Sequence, residues 1–443
     1  MATNRSFSEM INDYLTTDIL RAELPNRMYL LDKVKKDNNW VGGNGSQGYV
    51  VPFVGGQAST VKFGELSAAD DIAEDQDIRG TVTVQPELWG SMKFNSKDFM
   101  QHEGKKREIS LLRSVKRQID PFMTFVKTGL SDVLLGGEHF ATVTALTDAA
   151  NGIIALDRIE KVTLKQKILF REAVTPSAVA GYIQGINKSA GTILVHTTRA
   201  GGTPLNLTSA GPLVANLLVG DKLYYDGLVN TSTGAIQNNF SSLRGTLLSY
   251  ANGGSATLYG QTKTNYPFLQ ALNVDGGVGG AGITSANILE SLFSIYATEI
   301  DVKSRELTGK KCANYLMSPK NYAAAKIALE KYKGQYYTVP GESKAKAYAW
   351  SEMTLGSKGG DEITLTKVPE LADDIIPCVN WDSFILASNG FFRFPEHPEK
   401  PGSMHYYEER AASGYTYIVD ICFMGDLINI CPESNAIVYG VSI

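Results

Sequence analysis

The sequence predicts a mixed α+β protein built from more than one domain. Apolar runs with the period of strands and stripes with the period of helices follow one another in irregular order, which suits segregated helices and sheets better than a regular βαβ alternation. At 443 residues the chain also exceeds the roughly 250 to 300 residues that one core usually carries. Charge thins out sharply in one stretch. Between Glu172 and Asp275 only Lys188, Arg199, Asp221, Lys222, Asp226, Arg244 and Lys263 are charged, against 20% for the whole chain, so this stretch reads as an inserted unit.

From the N-terminus, Phe7, Met10, Ile11, Tyr14, Leu15 and Ile19 recur at helical spacing, Pro25 stops the pattern, and Met28 to Val34 form a second apolar run before Gly42, Gly43 and Gly45. Residues 1–44 therefore read as an arm with a flexible exit. From 45 to 100 the pattern changes to short β-type runs: Tyr49 to Val54, Thr60 to Leu66, Ile78 to Leu88 and Ser91 to Phe94. Between them sit Asp70, Asp71, Glu74, Asp75 and Asp77, which suggests a long hairpin with an acidic tip. Arms of a dozen residues reach roughly 40 Å, too far for a compact domain to cover, so such a hairpin needs a neighbour. Next, Ile109, Leu112, Val115, Ile119, Phe122, Val126, Leu130 and Val133 mark an amphipathic helix of roughly 45 Å, kinked at Pro121.

The low-charge stretch, taken as 160–275, carries runs such as Thr192 to His196, Lys222 to Tyr225, Thr246 to Tyr250 and Ala256 to Tyr259, punctuated by Gly, Ser, Asn and Pro. That spacing suits a small antiparallel barrel or sandwich. Gly276 to Gly282 read as a hinge leaving it, with Thr284 as the N-cap of a helix through Ile288, Leu292, Ile295 and Tyr296. A strand Ala313 to Met317 then precedes Ser318-Pro319, where proline opens a helix to Leu329. Strands follow at Ile363 to Val368, Ile375 to Val379, Ser383 to Ala387, Tyr415 to Phe423 and Ala436 to Val441.

Little here points to chemistry. A net charge of −4 is unlike the basic surface that grips nucleic acid. Cys312, Cys378, Cys422 and Cys431 stand far apart without a C-x-x-C pair, which suits reduced thiols and disfavours zinc. No export signal or membrane span is expected. Gly277 to Gly282 match G-x-G-x-x-G, but with no β-branched strand read before them and no βαβ unit after them the hinge reading is preferred. The histidines, His102, His139, His196, His397 and His405, lack metal-ligand spacing; His397 and His405 near Glu396, Glu399, Glu408 and Glu409 read as charged loop residues beside a strand. No G-x-S-x-G or P-loop is present, so no catalytic residue, metal or cofactor is expected.

Three stretches carry a resemblance: CANYLMSPKNYAAAKIAL from Cys312 to Leu329, VPELADDIIPCVNWDSFILASN from Val368 to Asn389, and GYTYIVDICFMGDLINICPESNAIVYGV from Gly414 to Val441. With the order of elements before them, they resemble the major capsid proteins of tailed bacteriophages, whose fold is shared with encapsulin shells and the herpesvirus capsid floor. The resemblance implies an N-terminal arm (1–44), an extended β-hairpin loop (45–100), a spine helix with the peripheral domain (101–159), an inserted β-rich domain (160–275), and an axial domain with closing strands (276–443). It also implies a non-enzymatic subunit of an icosahedral virion capsid, assembled in the bacterial host cytoplasm as hexamers and pentamers. Expected partners are a separate scaffolding protein, since the chain starts almost directly with the arm, together with portal and decoration proteins; contact with packaged DNA would be weak and non-specific. Some relatives form Lys-Asn crosslinks. Lys62 is a candidate donor, but no Asn lies between Asn389 and Asn429, so no crosslink is expected.

In that family the extended loop lies across an adjacent subunit. The resemblance therefore suggests that Asp70, Asp71, Glu74, Asp75 and Asp77 dock on a neighbour's Lys105, Lys106, Arg107, Arg113, Lys116 and Arg117; that both are simply solvated charged surfaces stays open. Two other functions are compatible with parts of the sequence. An encapsulin-type compartment shares the fold but is usually shorter and lacks such an insertion. A carbohydrate-binding protein or hydrolase would use aromatic platforms on the β-domain. Trp40, Trp89, Trp350 and Trp381 all lie outside that domain, leaving only Tyr182, Tyr224, Tyr225, Tyr250, Tyr259 and Tyr266, besides Phe, as candidates.

Overall fold

The computed structural model describes residues 30, 33–37, 48–53, 79–82, 86–95, 126, 128–136, 139–171, 178–208, 217–229, 233, 240–252, 254–277, 282–301, 312–331, 352–355, 362–388, 396–397, 400–404, 406–411 and 414–441. It is mixed α+β, as expected, and divides into two compact units. One comprises Met1–Lys127 with Ser241–Ile443, the other Thr128–Phe240.

The first unit opens with β1 (Lys35–Asp37), β2 (Tyr49–Pro52), β3 (Arg79–Val82) and β4 (Glu87–Asn95). β2 and β3 pair antiparallel from Tyr49↔Val82 to Pro52↔Arg79, so the two flanks of the acidic stretch meet. Tyr49 and Val51 are buried while Val50 and Pro52 face solvent, the period of two of a half-covered strand. β4, which falls in the stretch read as hairpin, pairs elsewhere, as described below.

The second unit begins with α1 (128–135), the end of the long apolar stripe, where Leu130, Val133 and Leu134 are buried. Then come β5 (Ala141–Asp148), β6 (Ile153–Leu156), β7 (Lys167–Arg171), β8 (Ala178–Asn187), β9 (Thr192–Thr198), β10 (Gly201–Pro204) and β11 (Lys222–Tyr225). The circuit β9-β6-β5-β11-β7-β8 returns to β9 with every pair antiparallel, and β10 extends the edge of β9. Of the barrel and the sandwich left open by the sequence, this is the barrel. Val143, Ile154, Ile168, Phe170, Ile183, Val195 and Leu223 fill its interior, and closure leaves few unpaired edges. Its boundaries differ from the insertion drawn at 160–275. β5 and β6 are needed to close the circuit between β11 and β9, and residues from Ser241 onward belong to the first unit.

One buried charge pair stands inside the second unit. Lys161 Nζ donates to Asp132 Oδ1, and the Tyr225 hydroxyl donates to Asp132 Oδ2 at 2.7 Å, tying α1 to β11 and to the loop before β7.

Back in the first unit, the strand expected at Thr246 to Tyr250 is overturned. Leu243–Leu247 form the helix α2, because Ser242 Oγ caps the Gly245 amide at 3.0 Å and a Ser cap outweighs a short β-type run. Then follow β12 (Thr257–Leu258), β13 (Gln261–Thr262), β14 (Leu272–Asp275), α3 (Ile288–Ile295) continuing as a π-helical turn at Tyr296–Ile300, β15 (Asn314–Met317), α4 (Pro319–Lys331), β16 (Glu352–Leu355), β17 (Ile363–Lys367), β18 (Ile375–Val379) and β19 (Phe384–Ser388). Last come β20 (Glu396–His397), β21 (Lys400–Met404), β22 (Tyr406–Ala411), β23 (Gly414–Asn429) and β24 (Ala436–Tyr439). A sheet in the order β14-β24-β18-β15-β17-β16 carries α3 and α4, with Ile288, Leu292, Tyr296, Ala325 and Ala328 packed against Tyr315, Leu365, Ile376 and Val438. The Tyr315 hydroxyl donates to the Leu292 carbonyl at 3.0 Å, tying α3 to β15 just before the π-helical turn.

Two local expectations change here. β14 does lead into the glycine run, and Ile283 N donates to Gly276 O at 2.7 Å, so both ends of that run are tied together within the first unit. Asn287 rather than Thr284 precedes α3, because the Thr284 amide and hydroxyl both donate to Asn287 Oδ1, at 2.7 and 3.0 Å.

Candidate functional site

The residues singled out for subunit contact, the acids of 70–77 and the bases of 105–117, lie outside the described residues, as do Lys62, His102 and His405. The other histidines are dispersed: His139 lies edge-on to Tyr224, His196 sits opposite Tyr182 between β9 and β8, and His397 pairs across to Lys400. Among the described residues no three His, Cys, Asp or Glu side chains gather to hold a metal ion, and no helix is long and apolar enough to cross a membrane.

The feature that stands out is a ribbon. β23 runs for 16 residues, roughly 50 Å of extended chain. Its outer part pairs antiparallel with both β4 (Thr416↔Asn95 to Met424↔Glu87) and β22 (Tyr406↔Val419 to Ala411↔Gly414). Its root, Gly425 to Asn429, pairs with β19, which in turn carries β1 in parallel. Burial changes along the strand: Gly425 to Asn429 are buried, whereas Ile418 and Asp420 are half-exposed. In β4 none of the described side chains is buried, and Trp89 is 52% exposed, its indole donating to Glu87. Among the described residues Glu87, Trp89, Ser91 and Lys93 are exposed and Leu88 and Gly90 are half-buried, so the face carrying Trp89 lies open to solvent.

At the root of the ribbon lie buried polar groups. Asp426 accepts hydrogen bonds from Ser241 N (2.7 Å), Ser241 Oγ (2.6 Å) and Leu427 N (2.9 Å); burial pushes its carboxyl up to about 7, against the pull of those donors. Lys263, 1% exposed, donates to the carbonyls of Gly245 (3.0 Å) and Leu248 (2.8 Å), and burial lowers it to about 8. In the six-stranded sheet the Cys312 and Cys378 sulfurs are 3.6 Å apart as free thiols, and burial raises Cys378 well above the usual thiol range. These groups hold strands in place and expose no reactive atom. Two had a sequence signal: Asp426 is the one acid within the apolar run from Ile421 to Ile430, and Lys263 stands almost alone in the low-charge stretch.

No family model and no curated protein matches the chain. In backbone arrangement it is similar to the capsid asymmetric unit of cyanophage A-1(L), with 8% identity, a TM-score of 0.44, and coverage of 93% of this chain and 91% of that chain. It is similar also to the capsid of Myoviridae phage XM1 (8%, 0.36, 93% and 91%) and to the holo-SrpI encapsulin complex of Synechococcus elongatus (9%, 0.37, 94% and 87%).

Proposed function

We propose that the chain is the structural subunit of an icosahedral shell that encloses the DNA genome of a tailed phage, and that it performs no catalysis. The observation that carries this reading is β4: nine residues long, paired among the described residues with β23 alone, and with no buried side chain among those described. Self-association supplies the missing cover at no cost in new sequence, and repeated contacts between identical chains close into shells when the rotation between neighbours closes. Under this reading the acidic stretch 70–77 and the basic stretch 105–117 meet across neighbouring subunits. Exposed ion pairs contribute only about 0 to 1 kcal/mol each, so the charges would set orientation and rate, while apolar burial sets stability. Hexamers and pentamers, a separate scaffolding protein, a portal and decoration proteins complete the proposed assembly.

Purified chain, alone and with its scaffolding partner, should give closed particles or capsomer rings in negative-stain microscopy. A persistent monomer under both conditions sinks the reading. Particles that hold protein cargo and never protect DNA from nuclease would instead favour a cargo compartment of the encapsulin kind. Reversing Asp70, Asp71, Glu74 and Asp75 to Lys should slow assembly, and adding Arg113, Lys116 and Arg117 to Glu should restore part of the rate; normal assembly of the first variant at low salt rules out the charge docking.

A further inference from the structure

Tyr259 has a φ of 48°, in the left-handed region, and Gly260 follows at 82°. The two form the turn between β12 and β13, whose register is Thr257↔Thr262 and Leu258↔Gln261. A two-residue hairpin turn with both central residues at positive φ favours Asn-Gly, because asparagine tolerates that backbone and a bulky aromatic does not. A tyrosine held there must be fixed by what it touches.

What it touches is the base of the β2–β3 hairpin on one side and the root of β23 on the other. Its ring stacks on Phe53, centroids 6.0 Å apart and planes 20° from parallel. Its carbonyl accepts the Thr81 amide of β3 at 2.9 Å. Its hydroxyl accepts the Asn429 amide at 2.8 Å and donates to the Leu427 carbonyl at 3.3 Å. Beside it, Gln261 Nε2 donates to the Arg79 carbonyl at 2.9 Å. Gly80 makes room, since a Cβ there would stand 2.7 Å from the Tyr259 Cβ. β2 and β3 pair with no third strand among the described residues; besides this turn, the hairpin base meets the body through Tyr49, Val51 and Val82 on the cluster of Ala387 and Ile428, through Phe53 edge-on to Phe268, and through the Tyr49 hydroxyl, which donates to Asp37 of β1 at 2.9 Å. An apolar patch permits sliding and rotation; the Tyr49–Asp37 bond restrains the β2 side, and the Tyr259 turn, bonded to Thr81 of β3 through its carbonyl and to Asn429 and Leu427 of β23 through its hydroxyl, restrains the β3 side.

We infer that Tyr259 is a positioning residue: it fixes the direction in which the hairpin bounding residues 53–78 leaves the body, and thereby where that hairpin meets a second copy of the chain. The second half of this inference rests on the shell reading; the first half does not.

Two variants separate the contributions. Tyr259→Asn suits the left-handed backbone and removes both ring and phenol, whereas Tyr259→Phe keeps the stack on Phe53 and removes only the hydroxyl. In the unassembled chain, hydrogen exchange at Thr81 should rise at least tenfold in Tyr259→Asn, with amides of β15, β17 and β18 unchanged, and should rise less in Tyr259→Phe, where Asn429 exchanges faster. Thr81 exchange within twofold of wild type in Tyr259→Asn overturns the clamp. In assembly, Tyr259→Asn should give open sheets, tubes or particles of altered diameter; wild-type yield and diameter, with Thr81 loosened, overturn the claim about direction. Should wild type itself form no particles, the shell reading fails together with the neighbour half of the inference, and Thr81 exchange still decides the clamp. If Tyr259→Asn does not fold, Thr81 and Asn429 exchange in Tyr259→Phe decide it, and no change at either amide overturns it.

Discussion

Replacing Asp132 with alanine should open the barrel. Asp132 is 1% exposed and Lys161 8%, so the substitution takes away the carboxylate that a buried ammonium is bonded to and the Oδ2 that the Tyr225 hydroxyl donates to. Removing one partner of a buried pair costs about 3 to 5 kcal/mol, most of it the penalty of stranding the other charge. The lost Tyr225 bond adds about 1 kcal/mol, not strictly additively. A total near 5 kcal/mol is several thousandfold in an opening equilibrium. Native-state hydrogen exchange is the assay, read at amides of β7 and β11, whose pairing Leu223↔Phe170 and Tyr225↔Ile168 lies beside the pair. Asp132→Leu combined with Lys161→Met should recover most of the loss, because two apolar side chains strand nothing. An opening constant in Asp132→Ala raised less than about fivefold, roughly 1 kcal/mol, would refute the reasoning.

Three further outcomes are expected. Asp426 is nearly neutral in the fold at pH values where the unfolded chain has already ionised, since burial lifts its carboxyl to about 7 from the ordinary 3.8. Its folded value is the higher one, so stability is greatest below about pH 4, falls as pH rises to about 7 by on the order of 4 kcal/mol, and is flat above; urea midpoints at pH 5 and pH 8 should show this for wild type and lose most of it in Asp426→Asn. Gly152→Ala should destabilise the barrel by at least about 2 kcal/mol, because φ is 70° and the new Cβ would stand 2.4 Å from the Val195 carbonyl; a thermal melt within 1 °C of wild type contradicts it. Trp89→Ala should leave the monomer's urea midpoint within about 0.5 kcal/mol of wild type while lowering particle yield several-fold, and unchanged yield would show that the outer face of β4 is not an assembly surface.

What could be read from the sequence was what is decided locally. Ser318-Pro319 set the start of α4 at Pro319, and the runs at Ile363 and Ile375 became β17 and β18 within a residue of their expected ends, because caps and two-residue periods act over a few positions. Thr246 to Tyr250 misled because one hydroxyl, that of Ser242, decided for helix. The barrel's boundaries were illegible for another reason: β5 and β6 belong to it only through pairings with β11 and β9, which no local pattern records. Asp426 meets Ser241 across 185 positions, and the left-handed Tyr259 is explained only by Phe53 and Asn429, far from it in sequence. The acids and bases proposed for subunit contact were visible as charge runs; whether they meet is decided by a second chain.

The pairing of β4 with β23 also has a temporal side. Ser91 bonds to Asp420 across 329 positions, so during synthesis the first strand of the ribbon emerges long before the strand that completes it. At roughly 5 to 20 residues per second, a growing chain spends on the order of 15 to 65 seconds with β4 made and its partner still to come. Throughout that interval the ribbon does not exist, and the face on which neighbours would seat is missing. Under the proposed shell reading, a chain would offer this face to its neighbours only after synthesis has passed β23.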